Sequence, residues 1–131
     1  MKPSVLFVVA GSFAAMLLPR LALSQDSAQV LRAKNDVRAI VTAVNLFKLE
    51  NARLPSNDEG LAILVASPSG GRRGYLVAMP VDPWGRPYLY ATPGRAGDFD
   101  IYTLGGDGRV GGEGDDADVG SWLGDALRPP R

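Results

Sequence analysis

Apolar residues Val30, Ala33, Val37, Ile40, Val41, Val44 and Phe47 recur at three- and four-residue steps. That spacing puts them on one face of a 3.6-residue helix, with Arg32, Lys34, Asn35, Asp36, Arg38 and Lys48 mostly on the other. The pattern predicts an amphipathic helix over residues 27–51, stopped by Leu54-Pro55. Such a helix needs a companion layer to bury its stripe, because packing supplies most helical stability. The downstream chain must provide that layer.

Upstream, Pro3 to Leu18 are apolar apart from Ser4 and Ser12, with Lys2 before them and Pro19-Arg20 after. Residues 1–24 thus form a hydrophobic segment, and residues 25–131 a globular domain. As a secretory signal, the segment has Lys2 as its charged start and Ala22-Leu23-Ser24 as a small-x-small cleavage site before Gln25. As a membrane helix it is short, since about 20 residues cross a bilayer, yet such helices tolerate proline. Either reading takes the chain to or across a membrane. Joined to the next helix, it would make a rod of about 45 residues, roughly 70 Å long.

After Pro55, Ser56-Asn57-Asp58-Glu59 has the S-x-x-E capping pattern, which predicts a short helix over 57–66. Ser67–Gly74 reads as a loop carrying Arg72 and Arg73, and Tyr75–Met79 as a short extended run. Asp82-Pro83-Trp84-Gly85 has turn chemistry. Tyr88–Ala91 and Phe99–Thr103 alternate like two strands, so a small sheet and the loop that follows it occupy 75–123. Trp122 is placed to pack that end against the sheet. The fold class is α+β.

There is no Cys and no His, which removes thiol nucleophiles, disulfides and histidine bases. Ser-x-x-Lys is absent, and the dense carboxylates sit in one loop rather than across a cleft. An enzyme and a small-molecule substrate are not expected. The basic residues are scattered without aromatic interleaving, which argues against nucleic acid. Net charge is zero, yet residues 98–125 hold eight acids against the single Arg109, and the first 48 residues are mainly basic. That asymmetry suits head-to-tail association of identical subunits, or a cation site at one end.

The acids concentrate between Leu104 and Val119, where five carboxylates alternate with glycines. They repel one another unless water or a cation screens them, and hard cations such as Ca²⁺ take six to eight oxygen ligands. Composition alone suits a flexible acidic tail equally well. The EF-hand pattern fails, because Asp107 is followed by Gly108-Arg109-Val110. Gly111–Asp116 matches part of a nonapeptide calcium repeat, but only once, and that architecture needs tandem copies. A single-ion loop remains. Asp116 and Asp118 share one side of an extended segment, Asp107 can close from the opposite limb, and carbonyls of Leu104, Val110 or Val119 could complete the cage. Glu113 and Asp115 are read as solvated.

Three strings, Asp82-Pro83-Trp84-Gly85-Arg86-Pro87-Tyr88, Asp98–Gly108 and Gly111–Trp122, closely resemble the major pseudopilin of type II secretion systems. So do Ala33–Ile40 and Asn51–Ser56, and the resemblance covers about residues 20–122. It implies a type IV pilin-like fold, with a long N-terminal helix on a small antiparallel sheet and a C-terminal calcium loop. By position, Asp107, Asp116 and Asp118 fall where that family's acidic calcium ligands lie, with the Leu104 carbonyl beside them. It also implies self-assembly and assembly with other pseudopilins and inner-membrane secretion components. The N-terminal helix would sit in the bacterial inner membrane and the globular domain in the periplasm, supporting export of folded proteins. The family's Gly-Phe-Thr-Leu-Ile-Glu processing string does not occur in these residues, although Ala10–Arg20 resembles the later part of its membrane helix. The alternative is a signal-cleaved, soluble periplasmic calcium-binding module without a filament role.

Overall fold

The computed structural model describes residues 26–65 and 74–127; the hydrophobic segment 1–24 and the Arg72-Arg73 loop lie outside the described residues. Helix α1 runs Ala28–Asn51. Ser27 caps it with an extended backbone, its Oγ accepting from the Val30 N–H at 3.2 Å. It ends at Ala52, which takes a left-handed conformation at φ 56. Val30, Ala33, Val37, Ile40, Ala43, Val44 and Phe47 are buried, so Ala43 joins the expected stripe while Val41 is half-buried at its margin. Each large member of that row contributes about 1.5–3 kcal/mol by leaving water.

The capping pair after Pro55 forms as expected: Glu59 N–H donates to Ser56 Oγ at 3.1 Å, and Ser56 N–H to Glu59 Oε1 at 3.0 Å. It closes a turn rather than opening a helix. Gly60 sits at φ 54, which breaks the helical path, so α2 is confined to Ala62–Val65 instead of 57–66. Leu61 and Leu64 still reach the core.

The sheet has three antiparallel strands in the order β1 (Leu89–Ala91), β2 (Asp100–Thr103) and β3 (Val119–Gly120). Tyr90 pairs with Ile101, and Thr103 with Val119. The third strand was not anticipated, because its two residues carry no alternation to read. Tyr75–Met79 forms no strand; Leu76 N–H donates to Leu64 carbonyl at 3.0 Å, and Val81 makes a single bridge to Pro87. Tyr88, Ile101 and Val119 join the buried α1 residues in one core, so α1 lies along one face of the sheet. The long helix on a small antiparallel sheet is the pilin-like layout that the resemblance implied. Among the described residues no helix is long and apolar enough to cross a membrane.

Candidate functional site

A tight hairpin and the acidic loop meet at one end of the sheet. Asp82 is 4% exposed, and one carboxylate oxygen accepts from the Trp84 N–H at 3.0 Å and the Arg86 N–H at 2.8 Å. The other accepts from the Thr103 hydroxyl on β2. Those bonds compensate the burial of a charge and aim Arg86 outward over the loop. Its guanidinium donates to the carbonyls of Gly105 at 2.8 Å and Gly106 at 3.0 Å.

From there the chain turns back on itself. Gly106 N–H donates to the Asp115 carbonyl at 2.7 Å, and a single 3₁₀ turn covers Gly114–Asp116. Gly112 cannot carry a side chain: its φ is +93°, and a Cβ there would meet the Asp116 carbonyl oxygen at 2.4 Å. Beyond the loop, Trp122 packs on Tyr102 at 5.5 Å between centroids, with the Arg95 guanidinium 4.1 Å above its ring.

The four expected ligands fall in different settings. Asp118 is half-buried; its Oδ2 accepts from the Gly111 N–H at 3.0 Å, while its Oδ1 is buried without a hydrogen-bond partner. Asp107 is exposed, and its Oδ1 accepts from the Arg109 N–H at 2.9 Å in an Asx turn. Asp116 is exposed beside Gly106, and Leu104 is half-buried just past β2. Among the described residues, no group of three acidic side chains converges as a ready-made metal cage.

Asp115 departs from expectation. It is not merely a solvated charge, because its Oδ1 accepts from the Ser27 hydroxyl and so ties the loop to the start of α1. Sequence reasoning also missed Arg86 and the buried role of Asp82. The D-P-W-G string marks a turn, but nothing local says that the arginine after it reaches a loop nineteen residues away.

A hollow of about 380 Å³ lies between α1 and the 96–100 loop. Three of its polar groups are engaged: Asp100 accepts from Arg95 N–H, Ser121 from Ile101 N–H, and Asp98 pairs with Lys48 at 2.8 Å. It presents no nucleophile and base in contact.

The family described as type II secretion system, protein G, matches residues 20–122. Type II secretion system core protein G of Pseudomonas aeruginosa is 44% identical over 90% of this chain and 88% of its own length. The protein of the same name from Vibrio cholerae is 38% identical over 90% and 85%. A solved structure of the major pseudopilin from the type 2 secretion system of enterohaemorrhagic Escherichia coli superimposes with a TM-score of 0.64 at 30% identity, covering 82% of this chain and 98% of that one. The chain belongs to the type II secretion system protein G family, and is a structural subunit of the pseudopilus rather than an enzyme.

Proposed function

We propose that the loop from Leu104 to Val119 is a calcium clasp that locks the head of this pseudopilus subunit. The observation that carries the reading is Asp118 Oδ1, a buried carboxylate oxygen with no hydrogen-bond partner in the most acidic stretch of the chain. Such an atom is costly unless something positive faces it. Asp107, Asp116, Asp118 and the Leu104 carbonyl offer only oxygen donors, which fits a hard cation. A bound ion would offset their mutual repulsion and the ordering of the glycines. This subunit assembles with copies of itself and with other pseudopilins, its segment 1–24 in the inner membrane and its head in the periplasm, alongside inner-membrane secretion components.

Thermal unfolding tests the clasp. Calcium should raise the melting temperature, since a ligand that binds only the folded state stabilises it, and Asp118→Ala should lose most of that rise. No drop on adding EDTA to calcium-saturated protein would sink the reading. N-terminal sequencing of the mature protein tests the membrane role, which a chain beginning at Gln25 would contradict.

A further inference from the structure

We propose that Leu46 and Leu49 of one copy seat on the outer face of the sheet of the next copy, in the hollow beside Leu89 and Leu104. The inference rests on the filament role and specifies which surfaces meet. The outward face of α1 is poor in charge: Leu31, Leu46 and Leu49 lie on it at 47%, 47% and 81% exposure. Arg38 is the cation among them, and it bonds to Asn35 rather than to a carboxylate.

The receiving surface follows from strand register. Val81 bridges to Pro87, which sets Met79 opposite Leu89; Leu89 pairs with Tyr102, which sets Pro87 opposite Leu104. Residues opposite one another share a face, so Met79, Val81, Pro87, Leu89 and Leu104 form one apolar ribbon on the side away from α1. Beside it opens a hollow of about 220 Å³, lined in part by Pro87, Leu89 and Leu104. Its charged groups are engaged internally, Asp82 by the Trp84 and Arg86 N–H groups and the Thr103 hydroxyl, and the Arg86 guanidinium by the Gly105 and Gly106 carbonyls. A cavity of ~150 Å³ already admits a benzene ring, so a leucine side chain fits.

These two surfaces are on opposite sides of the molecule. A contact between them is heterologous and does not close, so it propagates from copy to copy. Each patch is a few side chains, on the order of a few hundred Å², well short of the roughly 800 Å² per partner of a stable complex. The contact therefore adds to others within a filament and does not hold a free dimer. Charge agrees in spacing. Arg38 lies eight residues before Leu46, about 12 Å along the helix, and Asp107 follows Leu104 by three residues, at most about 10 Å of chain. Seating the leucines brings the lone cation toward the neighbour's acidic loop.

The chain has no cysteine, so single cysteines report the contact cleanly. Under mild oxidation, full-length L49C mixed with L89C should give a cross-linked dimer, each variant alone should give none, and L49C/L89C should give a ladder. Adding R38E should lower the cross-link yield several-fold at low salt. Dimers from L49C alone, or no cross-link from the mixture, overturn the proposal, as does a yield indifferent to R38E. Sedimentation of assemblies is scored separately and decides the filament role, so the two failures are told apart.

Discussion

Arg86 Nη1 donates to the carbonyl of Gly105 at 2.8 Å, nineteen residues along the chain, and Nη2 reaches Gly106 at 3.0 Å. The pair fastens the entrance of the acidic loop to a hairpin that Asp82 holds rigid from inside. A planar two-pronged donor suits two successive carbonyls, and an ammonium does not.

Replacing Arg86 should therefore loosen the loop without touching an acidic residue. R86A is expected to cost about 1.5–3 kcal/mol in thermal or urea unfolding, and R86K to recover less than half. The loss should persist with EDTA present, because these bonds do not depend on an ion.

Ser27 and Asp115 should behave as one unit. S27A removes the helix cap and the donor to Asp115 together, at about 1–2 kcal/mol. D115A removes only the second bond and should cost less. The double variant should cost less than the sum, and a cycle of melting measurements checks this. The calcium-dependent rise should survive D115A.

Two adjacent glycines offer a sharper contrast. Gly111 and Gly112 have φ of +87° and +93°, but a Cβ on Gly111 meets nothing within 4 Å, while one on Gly112 strikes the Asp116 carbonyl. G111A should cost only backbone strain, about 1–2 kcal/mol. G112A should cost more and weaken any calcium-dependent gain, read from melting curves with and without the ion.

The pH profile should have two edges. The Arg53 guanidinium bonded to Glu59, helped by the Ser56 N–H, holds that carboxyl down at about 2 against an ordinary 4.5. A lowered folded value means stabilisation present above the ordinary value and lost as pH falls from about 4.5 towards 2. The pair is exposed, so the loss is small and shrinks in salt. At the other end, burial and the hydrogen bond to Asp36 push the Tyr88 phenol up from 10.0. Its stabilisation is present below that value and fades as pH rises beyond it. Melting temperature against pH should show both edges, and Y88F should soften the alkaline one.

The parts legible in the sequence were those set by local periodicity or capping. The α1 stripe fell on its face to within one residue, and Ser56 with Glu59 formed the expected reciprocal pair. What escaped was decided by single backbone angles or by distant partners. Gly60 turned a helix into a turn, Val119-Gly120 became a strand only because β2 was there to pair with, and Asp115 found Ser27. The acidic loop was visible as a composition. Its geometry was not, because Arg86 and Asp82 act on it from another hairpin.

The bond between Ser27 and Asp115 spans 88 residues of chain, and that separation sets an order of events. The Ser27 cap on the Val30 N–H forms with its own first turn, whereas the tie from its hydroxyl to the acidic loop is made only by a residue near the far end. Closing so long a loop costs entropy that local contacts do not repay in advance. The start of α1 therefore stays untied to the sheet end of the head until the acidic loop has folded. The subunit thus carries a record of its own completion: until its last segment has folded, a capped helix start is not yet tied to the acidic loop.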